Sequence, residues 1–252
     1  MSLHRTFTKR IKSTEQKSYI CYPIENMKKL SSILLILGTA LFVSCTKEKI
    51  PEGEIHYAIS YPHNELKGMV EHIMPEEMTL TFKGTKIRSQ IARGKIFQTE
   101  VVSNESDQSI EMRLDFGDKM FYCILDKDDV ATLKESQPKY MLNATGTEDS
   151  VAGCWGKEYT IKREGDIKLD NAWFTEDLVP QEAYFYSSYA GIVGVPLVFD
   201  IERYGIIMHL EATGFTRREV KDEEFTRSSE LSEISFDQYE KEVQELFDIL
   251  MN

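Results

Sequence analysis

One stretch, residues 78–129, constrains the fold more than any other: MTLTFKGTKIRSQIARGKIFQTEVVSNESDQSIEMRLDFGDKMFYCILDKDD. Apolar and polar residues alternate along it. Turn-forming residues break it at Lys83-Gly84, Arg93-Gly94, Asn104 to Asp107, Gly117-Asp118 and Asp126 to Asp129. Successive side chains of a strand point to opposite faces, so a period of two broken every eight to twelve positions or so predicts an antiparallel meander.

The segment before it, GEIHYAISY, repeats the pattern, with Ile55, Tyr57, Ile59 and Tyr61 alternating with Glu54, His56, Ala58 and Ser60. Further strands are expected at residues 159–163, 167–174, 197–203 and 206–212, with REGDIK and ERYGII as turns. Asp128 to Ser136 has an acidic start and good helix formers, which predicts a short helix. In SFDQYEKEVQELFDILMN the apolar residues Phe236, Tyr239, Val243, Leu246, Phe247 and Leu250 recur at three and four, behind a Ser235/Gln238 capping box. This is an amphipathic terminal helix. A long meander must cover its inner face, and helices are few. The expected fold is mainly β (α+β): a curved antiparallel sheet, a half-open barrel, with one or two helices on its concave side.

Upstream, MKKLSSILLILGTALFVS places Lys28 and Lys29 before an apolar run from Ile33 to Val43, the layout of an export signal. The run is shorter than the roughly 20 apolar residues of a spanning helix. It ends in Leu41-Phe42-Val43-Ser44-Cys45, which resembles the lipobox of bacterial lipoproteins. That resemblance implies diacylglycerol on Cys45 and cleavage after Ser44. We therefore read residues 1–44 as an extension and signal starting at Met27, 45–53 as a lipidated tether, and 54–252 as one domain. More than one acyl chain would hold such a protein at a membrane, since each buried methylene contributes about 0.8 kcal/mol.

The whole chain has a formal net charge of −12, and residues 1–44 hold seven basic residues against two acidic ones, so the body stands at −17. Such a body is repelled by phosphates, which argues against nucleic-acid partners, and by anionic head groups, which leaves attachment to the acyl chains. Cys123 and Cys154 in an exported chain form either one disulfide or two separately buried thiols.

Catalytic spacing is missing: there is no Gly-x-Ser-x-Gly, His-Glu-x-x-His, phosphate loop or dinucleotide fingerprint. His56, His63 and His72, with Glu71, Glu76 and Glu77 nearby, lack the spacing of a metal site and read as solvated. Asp126 to Asp129 lacks the glycine and distal glutamate of a calcium loop and reads as a surface turn. No catalytic residue, metal or cofactor is expected. The aromatic cluster Tyr184, Phe185, Tyr186 and Tyr189 would line a binding mouth, form an interaction patch, or fill core.

Three segments resemble a family of uncharacterised Bacteroidetes-type outer-membrane lipoproteins whose fold is related to the LolA/LolB lipoprotein carriers. They are GEIHYAISY with MTLTFKGTKIRS; SVAGCWGKEYTIKREGDIKLDNAWFTEDL, with Trp173, Thr175, Glu176 and Asp177; and GVPLVFD with MHLEATGFTRREVKDEEF. The resemblance implies an apolar concavity that receives acyl chains. Its expected wall is Ile55, Tyr57, Ile59, Leu80, Phe82, Phe121 and Ile124, unless those side chains are simply core.

The functional expectation is a non-catalytic, lipid-anchored protein of the cell envelope, at the outer membrane and facing either periplasm or surface, that binds a hydrophobic or amphipathic ligand. The alternative is an interaction module with a closed core that docks another envelope protein. Labelled palmitate is expected to enter the protein, and Cys45→Ser to abolish both labelling and membrane fractionation. A serine variant that still fractionates with membrane would remove the anchor.

Overall fold

The computed structural model describes residues 48–62, 64, 72–94, 96–163 and 169–251; the expected signal segment and Cys45 lie outside them. The expected meander is present. Strands β1 (Glu52–Ser60), β2 (Glu77–Lys83), β3 (Lys86–Arg93), β4 (Phe97–Asn104), β5 (Ser109–Phe116) and β6 (Lys119–Leu125) each pair antiparallel with the next. Their connections fall at the sequence breaks. Gly84 and Gly117 take φ of 59° and 65°, which glycine adopts without the steric penalty of a Cβ. Order reaches back past β1, because Ile50 exchanges backbone hydrogen bonds with Asp177 (2.8 Å) and Val179 (2.9 Å).

The Asp126 to Asp129 corner is not a free surface turn. Asp126 caps helix α1 (Lys127–Ser136), its side chain accepting from the Asp128 and Asp129 amides at 2.8 and 2.9 Å, while Asp129 bonds back to the Asp126 amide. Helix α1 is too short to persist alone in water. Burial of Val130 and Leu133 against the sheet holds it.

A second meander follows: β7 (Tyr140–Val151), β8 (Cys154–Arg163), β9 (Ala172–Thr175), β10 (Val195–Arg203) and β11 (Ile206–Thr216). Strands β10 and β11 lie where expected, each running somewhat further than predicted. Strand β8 begins at Cys154, ahead of its predicted start. The long edge strand β7 has no counterpart in the sequence reading, because its side chains are mostly exposed and show no alternation. Strand β11 then pairs with β1, so both meanders form one sheet in the order β12-β6-β5-β4-β3-β2-β1-β11-β10-β9-β8-β7. The result is an open, curved sheet of twelve strands, antiparallel except where β12 (Ser232–Glu233) runs parallel to β6.

Cross-strand register puts Tyr57, Met78 and Ile91 on one face, with Ile55, Leu80 and Ser89 beside them. This inner face carries two buried clusters. The first joins β1–β3 to β8–β11 and takes Tyr184 and Tyr189 from the loop after β9. The second joins β4–β6 to α1 and to α2 (Phe236–Met251), whose Phe236, Tyr239, Val243 and Leu246 face the sheet as the helical period predicts. Cover therefore comes from two helices and an aromatic loop.

The outer face of the first meander is covered as well. After β11 the chain crosses it as a strap: Arg218 pairs with Glu54 (2.7 Å), Lys83 with Asp222 (2.8 Å), and Arg227 with Glu111 (2.9 Å). Beneath the strap, Glu100 accepts from Arg88 (2.6 Å) and Arg113 (2.8 Å), and Arg113 also donates to the Phe225 carbonyl (2.7 Å). The Arg113 and Glu100 side chains are only 6% and 8% exposed. Removing one partner of a buried pair leaves the other charge uncompensated, at a cost of about 3–5 kcal/mol. Arg113→Met is therefore expected to lower unfolding stability by about 3 kcal/mol in urea titrations. Arg113→Met with Glu100→Met should recover much of that loss, whereas a double-variant loss equal to the sum of the two single losses would show that the pair is not coupled.

Candidate functional site

The two inner-face clusters do not merge. Ile91 and Tyr186 border both, and between the clusters lies a partly open cavity of about 160 Å³ with almost wholly apolar walls. Protein interiors are otherwise close-packed, with few voids larger than a water. Each wall comes from a different element. Strands β2–β5 supply Met78, Ile91, Val101 and Met112, while β10 and β11 supply Ile201 and Met208. The aromatic loop supplies Tyr184, Tyr186 and Tyr189, and α2 supplies Tyr239, Val243 and Phe247. Met74 adds a fourth methionine. Unbranched, polarizable methionine side chains adapt to ligands of varied shape.

The phenols around this space are fixed by hydrogen bonds. Tyr184 Oη lies 3.3 Å from Ser89 Oγ, Tyr239 donates to the Arg113 carbonyl (3.3 Å), and Tyr189 bonds both the amide and the carbonyl of Asp200. Burial pushes the Tyr184 hydroxyl up to about 12, and drives those of Tyr186, Tyr189 and Tyr239 higher still. All four are neutral near pH 7 and unsuited to proton abstraction.

One of the three left-handed non-glycine residues among those described lies at the rim. Tyr204 occupies a left-handed conformation, φ 51°, in the two-residue turn with Gly205 that joins β10 to β11. A bulky residue persists there only when its surroundings hold it. Tyr204 stacks on Phe247 of α2 with ring centroids 5.0 Å apart, and its hydroxyl shares Glu240 with Arg203 (3.1 and 2.6 Å). These contacts tie α2 to the mouth of the cavity.

The expected cavity wall requires correction. Ile55, Tyr57, Ile59, Leu80 and Phe82 are buried in the first cluster and none borders the cavity. Phe121 packs edge-on against Tyr239 in the second. Ile124 is 51% exposed and points to the opposite face, because Cys123 takes the inward place in β6. The exposed aromatic patch is corrected too: Tyr184, Phe185 and Tyr189 are buried and Tyr186 is half-buried. Three of the four, Tyr184, Tyr186 and Tyr189, line the cavity.

Cys123 is a buried thiol in the second cluster, pushed up to about 12 by burial, whereas Cys154 is buried in the first. No bridge between them staples the fold. His63 and Glu71 lie outside the described residues, and His56 is exposed, 2.9 Å from Glu54. Among the described residues, no three His, Cys, Asp or Glu side chains converge as a metal site would require.

One polar pair went unread in the sequence. His209 on β11 stands opposite Asp200 on β10, Nδ1 2.8 Å from Oδ1 of a carboxylate that is 1% exposed. A signal was available, since His and Asp each occupy the polar phase of an otherwise apolar strand. Ser60 faces His209 from β1 but is exposed and not hydrogen-bonded to it, so no nucleophile is assembled.

No protein-family model matches the chain, and no curated protein matches it. Among solved structures it is similar to PNGF-II at a TM-score of 0.48 and 13% identity, over 77% of this chain and 33% of that one. The match thus spans about a third of PNGF-II. It is also similar to a LolA superfamily protein from Nitrosomonas europaea, at a TM-score of 0.21 and 11% identity, over 77% of this chain and 97% of that one.

The hydrogen bond that Asp200 accepts from the protonated imidazole raises the His209 pKa above its ordinary value, outweighing the opposing effect of burial. A raised imidazole pKa stabilises the fold fully below the unfolded value of about 6.5 and is lost as pH climbs through the folded value. Urea midpoints are therefore expected to fall as pH rises through that window. His209→Gln should flatten the fall, and an unchanged slope in that variant would assign the dependence elsewhere.

Proposed function

We propose that this is a non-catalytic, lipid-anchored envelope protein that holds an apolar or amphipathic ligand, with an acyl chain as the chemical class, in the cavity between sheet, aromatic loop and α2. The cavity itself carries the reading: an apolar, partly open space walled by four methionines where the two cores fail to meet. Burying a methylene there stabilises a complex by about 0.8 kcal/mol, so a chain of modest length supplies useful affinity without any charged partner. The three sequence segments that resemble a lipoprotein family of LolA/LolB-related fold support the same reading. Attachment through Cys45 would place the cavity beside a bilayer at the outer membrane, the source of such ligands.

The alternative, a docking module, draws its support from a different place. Met141 (63% exposed) and Trp155 (50% exposed) stand on the β7–β8 hairpin, while the aromatic loop is buried. Native mass spectrometry of gently purified protein separates the two. Co-purifying lipid is expected on the wild type, and Val101→Trp, which fills the cavity from β4, should remove it while leaving the circular dichroism unchanged. A bare protein mass for the wild type would overturn the carrier reading.

A further inference from the structure

Strand β9 pairs with β10 only as far as Trp173 opposite Val198. Beyond that point Tyr189 stands in for a neighbouring strand, its hydroxyl accepting from the Asp200 amide (3.0 Å) and donating to the Asp200 carbonyl (2.9 Å). Four side chains reach the cleft left where β9 stops: Tyr140 from β7, Arg163 from β8, and Asp200 and Glu202 from β10. Arg163 Nη2 donates to Glu202 Oε1 (2.5 Å), and Asp200 Oδ1 meets His209. Tyr140 packs edge-on against Tyr189 with centroids 5.4 Å apart, and its hydroxyl feels the charges of Glu202, Asp200 and Arg163.

Each of the four keeps one buried polar atom without a partner: Tyr140 Oη, Arg163 Nη1, Asp200 Oδ2 and Glu202 Oε2. They are the only such side-chain atoms among the described residues, yet they fall in one place. Buried polar groups are paired in the great majority of cases, so a cluster of exceptions points to a function for them. Asp200 is 1% exposed, and both Asp200 and Glu202 also border the apolar cavity.

We propose that this cleft is the polar end of the ligand site. It takes a neutral group that both donates and accepts hydrogen bonds, a hydroxyl or a primary amide, carried on the apolar chain held by the cavity. The inference rests on the proposed function. The cleft offers two donors, on Tyr140 and Arg163, and two acceptors, on Asp200 and Glu202. An anion is opposed by the two carboxylates. A cation is opposed by the Arg163 guanidinium. A group with no donor leaves the carboxylate oxygens unpaired, which a site built to bond a hydroxyl discriminates against strongly.

Four probes with the same chain length test this on the full chain by calorimetry: 1-monodecanoin, decylamine, decanoate and methyl decanoate. Monodecanoin is expected to bind about tenfold tighter than methyl decanoate, the equivalent of one good hydrogen bond. Tyr140→Phe and Glu202→Gln should each weaken monodecanoin by about tenfold and leave methyl decanoate unchanged. If Glu202→Gln fails to fold, Tyr140→Phe and the probe ranking still decide. Equal binding of all four probes, with Tyr140→Phe silent, overturns the polar end and leaves the cavity reading standing. Tightest binding of decylamine or decanoate overturns the neutral class, and binding of none overturns both inferences together.

Discussion

The pairing of β1 with β11 is the contact on which the rest depends. Residues 54–60 meet residues 209–216, so the first long strand of the fold finds its partner only after nearly the whole body has been laid down. Without that ladder the chain is two separate meanders, each with an apolar face it cannot cover. With it, one sheet curves far enough for the first cluster to draw on both halves at once. The loop-closure entropy is large and the pairing is late in sequence, a topology that folds slowly and leaves edges exposed meanwhile. The strap answers this physically: Arg218 and Val220, just past β11, are tied to Glu54 and Glu52 of β1 (2.7 and 3.0 Å), reinforcing the same junction from outside.

The two sheet edges are protected in different ways. Strand β6 is capped by the short β12 and flanked by α2, with Tyr122 donating to Glu233 (2.8 Å). Strand β7 is guarded by its composition instead. Glu148 and Asp149 lie on an exposed strand, where charge opposes edge-to-edge association. That same composition is why β7 was invisible in the sequence. A strand with both faces in water has no reason to alternate, and period-two reasoning detects burial rather than strand.

The legible parts of the fold were those where a face is buried against something apolar: β1 to β6, β10, β11 and the terminal helix. The strap was not legible, because its contacts are ion pairs with Glu54, Lys83 and Glu111 and a hydrogen bond from Arg113 to the Phe225 carbonyl, and such pairing leaves no periodicity. Inward-facing positions on β1 and β2 were identified as apolar and do face inward, yet they are core and not cavity wall. Alternation says which face a residue takes and nothing about what stands opposite it. The loop at 178–194, which brings Tyr184 and Tyr189 against Phe199, itself packed on Tyr57, decides that, and its placement follows from long-range contacts. Ile124 was misplaced for a simpler reason: it stands three residues from Phe121, an odd spacing that puts the two on opposite faces, and the inward places belong to Phe121, Cys123 and Leu125.

The dimensions of the cavity bear on how it would be used. A rigid apolar void of about 150 Å³ holds something the size of benzene, and ligand pockets commonly run to about 300 Å³ and above. At about 160 Å³, this cavity admits only part of an acyl chain unless its walls move. The walls are of two kinds. Tyr184, Tyr189 and Tyr239 are pinned by hydrogen bonds, whereas Met78, Met112 and Met208 have unbranched side chains that change rotamer at little cost. Expansion is therefore directed toward the methionine side and toward α2, whose hold on the mouth runs through the strained Tyr204 and the Arg203–Glu240 pair. A ligand that displaced Phe247 from Tyr204 would have to outweigh the loss of that stacking contact. On the proposed reading, the aromatic side of the cavity would fix where a chain lies, and the methionine side would set how much of it enters.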